Sequence, residues 1–228
     1  MYGPTRASMY GLRSISPMID SDISTLCTSL SLLMRQGLPG PSVQETMLPP
    51  WRSGRLDSSI KYRSAAVLLL LFPKNGKIFF PLIRRSEHLR NHQGQIALPG
   101  GAVEEGEDPV SAALRESEEE LGIDGKSVQV LGPLTPFAVD VSRFLVYPIV
   151  GALSRVPQFK PSPDEVADYF TVSLSDLLDP RLKTTMELTR DGQIYRVPCF
   201  SFSGTMVWGA TAMALAEFRA LCDLANRQ

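Results

Sequence analysis

The chain has 228 residues, 43% hydrophobic and 21% charged, which is enough apolar material for one well-packed domain with additions and a little short for two. Its 23 basic and 24 acidic residues leave a formal charge of −1, so no whole-protein field draws it to nucleic acid or to an anionic membrane. Cys27, Cys199 and Cys222 are odd in number, widely spaced and form no CxxC or Cys/His pair, which suggests neither a zinc site nor a disulfide framework and makes free thiols the expectation.

Residues 1–19 contain no Asp or Glu, carry Arg6 and Arg13, and are rich in Ser and Met. That composition has some likeness to a mitochondrial transit peptide, but a polar N-terminal tail is the preferred expectation, with cytoplasm as the default location and mitochondria as the alternative for a eukaryotic source. Residues 20–36 space Ile23, Leu26, Leu30 and Leu33 behind Ser21 or Asp22, which predicts a capped helix. Residues 37–62, with Pro39, Pro41, Pro49 and Pro50, predict an irregular connector wrapping the main domain. The expected division is therefore an extension over 1–62 and a domain over 63–228.

The longest apolar run, 65–72, is far too short to cross a bilayer and reads as a buried strand. Asn75-Gly76 predicts a hairpin into a second strand at 77–83. Residues 86–108 are loop-rich, and a helix over 109–121 begins at Pro109 and is stopped by Gly122. Further strands are expected at 127–131, 144–150 and 194–202, a short helix at 173–178, and a terminal amphipathic helix at 210–226. Trp208 reads as core. Strands with helices before, between and after them predict an α/β fold, a mixed sheet with helices on both faces.

The predicted helix over 109–121 carries the chemistry. Glu116, Glu119 and Glu120 are related by three and four residues and share one face, while Val110, Leu114, Ser117 and Leu121 form another, mostly apolar. Like charges at this spacing repel by a few tenths of a kcal/mol per pair. The helix dipole also disfavours anions in the last turns. A solvated acidic face would carry that penalty for nothing, whereas a hard divalent cation needs clustered carboxylate oxygens. Gly100 and Gly101 allow backbone to approach a metal or phosphate closely, and Arg115 is placed to orient a carboxylate.

From Gly101 the segment resembles the Nudix box, Gly-x5-Glu-x7-Arg-Glu-U-x-Glu-Glu-x-Gly-U with U bulky and aliphatic. Gly101, Glu107, Arg115, Glu116, Glu119, Glu120, Gly122 and Ile123 match it, and Ser117 departs from it at the first U, where looser packing is expected. The resemblance implies a Nudix-type α/β/α sandwich with a loop–helix–loop motif, and a hydrolase using Mg²⁺ or Mn²⁺ on a small-molecule diphosphate. Carried over by position, it implies Glu116 and Glu120 as principal metal ligands and Glu119 as a further ligand or the base for water. It also implies Glu107 as support, the Gly101 carbonyl as a metal contact, and Arg115 as the residue orienting the glutamates. Some members take their base from a loop outside the box.

Upstream, Arg85, Ser86, Arg90, Gly94, Pro99, Gly100 and Gly101 resemble the extra motif of the coenzyme A pyrophosphatases, with Pro81, Ile83 and Leu98 as departures. This second resemblance implies hydrolysis of CoA or its derivatives to 3′,5′-ADP and a 4′-phosphopantetheine product. Arg85, Arg90 and Gly100 would contact the substrate, since guanidinium forks suit phosphate. The rivals are another Nudix activity, such as ADP-ribose hydrolysis, and a non-catalytic binding module, which would be expected to lose box glutamates that this chain keeps. His88 and His92 have no evident ligand partner, and a homodimer is one assembly the sequence leaves open.

Overall fold

In the computed structural model, which describes residues 22–52, 57–87 and 94–227, the longest apolar run lies within β1, Arg63–Lys74. Its even positions Ala66, Leu68 and Leu70 face one side of the sheet and its odd positions Ala65, Leu69 and Leu71 the other, and all six are buried. A strand buried on both faces needs no polar alternation, which is why the run is continuous in sequence. Each fully buried leucine contributes about 2–3 kcal/mol. The Asn75-Gly76 turn has positive φ at both residues, 51° and 73°, and leads into β2, Lys77–Arg85, as predicted.

β3, Ile96–Ala97, pairs with β2, and β4, Gly100–Ala102, pairs antiparallel with β1. Helix α3, Pro109–Leu121, then packs Ala112, Ala113 and Leu121 against Ala66, Leu68 and Leu70. Beyond it come β5 (Gln129–Pro133), β6 (Phe137–Val139) and β7 (Phe144–Ala152). β7 runs parallel to β1, from Arg63↔Phe144 to Leu71↔Ala152, and the remaining pairs of this sheet are antiparallel. β8, Val166–Ser173, returns alongside β2. The mixed sheet was predicted; β8 was not, because Asp168 and Thr171 interrupt its apolar residues.

The opposite face of the sheet is covered by α1 (Ile23–Gln36), the short α2 (Pro41–Gln44), α4 (Leu174–Leu178) and α5 (Gly209–Ala225). A three-stranded sheet of β9 (Lys183–Arg190), β10 (Gln193–Phe202) and β11 (Thr205–Trp208) adjoins them. Asp22 caps α1, accepting from the Ser24 amide at 2.9 Å. The predicted connector is not wholly irregular, since it contains α2 and a 3-10 turn over Glu45–Met47. Buried Glu217 of α5 fastens this segment to the body. Its carboxylate accepts from the Gly40 amide (3.0 Å), Gln44 Nε2 (2.7 Å), and the Thr135 amide and hydroxyl (3.1 and 2.6 Å).

Two further expectations need correction. The strand predicted at 127–131 begins at Gln129, because Gly125–Ser127 forms a 3-10 turn capped by Asp124. Trp208 is half-buried beside a cavity and not in the core. Ser117 is fully buried on the packing face, and its hydroxyl is satisfied by donating to the Ala113 carbonyl at 2.6 Å. The three cysteines are free and buried. Among the described residues no helix is long and apolar enough to cross a membrane. The transit-like residues 1–19 lie outside the described residues.

Candidate active site

Local signals set the limits of α3. Asp108 accepts from the Val110 and Ser111 amides, Pro109 opens the first turn, and Gly122 ends the helix in the left-handed conformation at φ 67°. Arg115 projects from its middle and gathers the surrounding carboxylates. Its Nε and Nη2 donate to the two oxygens of Glu107, both at 3.0 Å, and Nη2 also reaches the Ala102 carbonyl at 3.1 Å. Nη1 donates to Glu116 at 2.9 Å and to Glu119 at 3.1 Å. Arg115 thereby holds Glu107 below the usual carboxylate range. Burial raises the Glu116 carboxyl, against the pull of Arg115.

Glu120 is fully buried, not on an open acidic face. One carboxylate oxygen accepts from the Gly100 amide at 2.7 Å, and the other from Arg85 Nη1 at 3.2 Å. Arg85 arrives from the end of β2, where a bulge between Arg84 and Arg85 shifts the register against β8. Burial still dominates and pushes the Glu120 carboxyl up to about 8. The glycines make this closeness possible. A Cβ on Gly100, which has φ 148°, would fall on the Ala66 carbonyl, and one on Gly101 would fall on the Glu116 carboxylate.

A third carboxylate comes from outside the helix. The amide of Lys160 donates to the Leu121 carbonyl at 2.7 Å and that of Ser162 to the Glu120 carbonyl at 2.9 Å, which satisfies two carbonyls left open at the helix end. This fastens the loop and brings Glu165 to the helix. Carboxylate oxygens of Glu116, Glu120 and Glu165 lie within 4.8 Å of one another. Three hard oxygen donors converging on one point, with burial raising the carboxyls of Glu116 and Glu120, fit a divalent cation such as Mg²⁺ or Mn²⁺, whose charge would offset the repulsion.

The structure thus brings Glu116 and Glu120 together and ties Arg115 and Glu107 to them, but it does not bring Glu119 into the cluster. The Glu119 side chain is 51% exposed and held by Arg115. Glu165, which sequence reasoning missed, stands in the cluster instead. Its surroundings, Pro161, Pro163 and Asp164, read only as loop. Arg85 reaches the cluster through Glu120, and the Ser86 amide donates to the Glu165 carbonyl at 2.9 Å. Arg90, His88 and His92 lie outside the described residues. Beside the cluster opens a cavity of about 440 Å³, lined in part by Arg85, Gly100 and Gly101, a volume within the range of small-molecule sites.

A family model described as NUDIX domain matches residues 61–192. Among curated proteins, the "Uncharacterized Nudix hydrolase NudL" of Photorhabdus laumondii is 39% identical over 174 residues, covering 76% of this chain and 90% of that protein. The protein of the same name from Escherichia coli K12 is 37% identical over 163 residues, covering 70% and 82%. Among solved structures, RenU, a Nudix hydrolase from M. Smegmatis, aligns with a TM-score of 0.51 over 71% of this chain and 86% of that chain. At 18% identity that likeness is one of fold.

Proposed function

This chain belongs to the NUDIX domain family, and from that premise we propose that it hydrolyses the diphosphate bond of coenzyme A or its derivatives, releasing 3′,5′-ADP and a 4′-phosphopantetheine product. The observation that carries the substrate reading is the Arg85–Glu120 contact at 3.2 Å. It makes the segment resembling the coenzyme A pyrophosphatase motif part of the carboxylate cluster, because Arg85, Ser86 and Gly100 all touch Glu120 or Glu165 through hydrogen bonds.

In this reading Glu116 and Glu120 hold the divalent cation, Mg²⁺ or Mn²⁺. Bound there, it neutralises diphosphate charge and acidifies water. Arg115 fixes Glu116 and Glu107, while Arg85 and the Gly100 amide fix Glu120, so both ligands are oriented before substrate arrives. Glu165 accepts no side-chain hydrogen bond among the described residues and lies at the same centre. It is therefore the carboxylate we assign to take the proton from attacking water, in place of Glu119, which Arg115 holds at the exposed rim.

The test is hydrolysis of CoA, ADP-ribose and 8-oxo-dGTP side by side, with products resolved by chromatography. Release of 3′,5′-ADP from CoA well above turnover of the other two supports the reading. Cleavage of ADP-ribose with CoA untouched would discard the CoA assignment and leave the carboxylate cluster as the candidate catalytic site.

A further inference from the structure

The cavity beside the cluster carries information that the Nudix box does not. It lies on the face of β1 opposite α3, because Ala65 and Val67 line it whereas Ala66 packs toward α3. Its two ends differ. At one, Val67 pairs with Gly100, whose amide holds Glu120, and Arg85 lies alongside. At the other, Arg63 pairs with Phe144, its guanidinium 4.5 Å from the ring centre. The four-residue span from Arg63 to Val67 corresponds to about 13 Å of strand. Between the ends the walls are apolar, formed by Ile96, Leu98, Phe137, Val139 and Trp208.

Arg52, from the segment before β1, also lines this cavity. Its Nε is buried with no hydrogen-bond partner, and the side chain forms no ion pair among the described residues. Asp140, near enough to favour its charge, takes the Tyr62 hydroxyl at 2.7 Å. Val139, the residue before Asp140, pairs with Phe144, which is also the partner of Arg63, so Asp140 and the Arg52 it acts on belong to the Arg63 end of the cavity, remote from Glu120. A buried guanidinium donor without a partner is costly unless a ligand supplies one.

We propose that Arg52 and Arg63 form a second anion subsite, which binds a phosphate group of the substrate other than the diphosphate being cleaved, with the apolar walls holding the body that joins them. This rests on the CoA reading, in which that group is the 3′-phosphate. It places part of the substrate selection in Arg52, outside the 61–192 span matched by the family model.

The experiment compares kcat/KM for CoA and for dephospho-CoA, which lacks the 3′-phosphate. The wild-type chain should prefer CoA, and Arg52→Gln should reduce the CoA to dephospho-CoA ratio about tenfold or more. Arg52→Lys should restore part of it. Arg63→Gln, an exposed change, should lower the same ratio independently. Equal kcat/KM for both substrates in the wild type, or a ratio unmoved by both glutamine variants, would overturn the proposal. If CoA is not cleaved at all, the reading of function fails by itself, and calorimetric binding of 3′,5′-ADP and AMP still decides the subsite. Tighter binding of 3′,5′-ADP that is lost in Arg52→Gln supports it, and equal binding of the two refutes it.

Discussion

The amide of Ser162 donates to the carbonyl of Glu120 across 2.9 Å, so the loop that carries Glu165 is fastened to the last turn of the helix that carries the other two carboxylates. A helix must leave its final carbonyls open, and here those carbonyls receive the loop that completes the cluster. Glu165→Gln is therefore expected to lower kcat by about a hundredfold to ten-thousandfold. The thermal midpoint should change little, since no hydrogen bond to its side chain is lost among the described residues. Glu119→Gln, at the exposed rim, should cost much less. Steady-state kinetics on both variants checks the order, and a larger loss for Glu119→Gln would return the base assignment to that residue.

Gly101 supplies a steric prediction. A methyl group at this position would occupy the place of the Glu116 carboxylate and force it away from Glu120 and Glu165. Small displacements of an oriented group cost about a hundredfold in rate, so Gly101→Ala should lose at least that much activity. Circular dichroism should show the fold intact. Near wild-type turnover would mean that Glu116 need not keep its observed position.

Glu217 makes the segment before β1 integral to the fold. Replacing it with leucine would leave donors of Gly40, Gln44 and Thr135 unpaired in a buried site, at a cost of about 2–4 kcal/mol. For a chain of this size that corresponds to a fall in melting temperature of about 5–15 °C. Calorimetry on Glu217→Leu measures it. An unchanged midpoint would show that the four hydrogen bonds contribute nothing net.

The pH dependence follows from Glu120. Burial raises its carboxyl from an ordinary value of 4.5 to about 8 in the folded protein. A raised folded-state pKa contributes stability that is fully present below 4.5 and lost as pH rises through 8. The cation needs the ionised carboxylate, so its binding should release protons in that window and its stabilising effect should grow with pH. Melting temperatures measured with Mg²⁺ and with EDTA should diverge between about pH 5.5 and pH 8.5. A constant difference would contradict the coupling.

Much of this was legible in local sequence, and the rest failed for identifiable reasons. Helix α3 was readable to the residue because Pro109 and Gly122 act within a turn of where they stand. The Asn75-Gly76 hairpin was readable for the same reason. Glu165 was not, because its place depends on hydrogen bonds to carbonyls about forty residues earlier in the chain, and a glutamate among prolines carries no periodic signal. Strand β9, Lys183–Arg190, was missed because it is largely exposed and only Met186 and Leu188, both half-buried, mark an apolar face in a Thr-rich sequence. The burial of Glu120 was also unforeseen. The three- and four-residue spacing places glutamates on a common face but does not say how close that face lies to the sheet edge, where the Gly100 amide draws Glu120 inward.

Cation-dependent CoA hydrolysis at the carboxylate cluster can be measured as turnover of CoA by the wild-type chain and by Glu120→Gln, with Mg²⁺ and with EDTA. The wild type should release 3′,5′-ADP with Mg²⁺ and none with EDTA. The variant should lose about a thousandfold or more, its fold kept while the cation loses a ligand. Full turnover by Glu120→Gln, or by the wild type in EDTA, would contradict cation-dependent hydrolysis at the cluster.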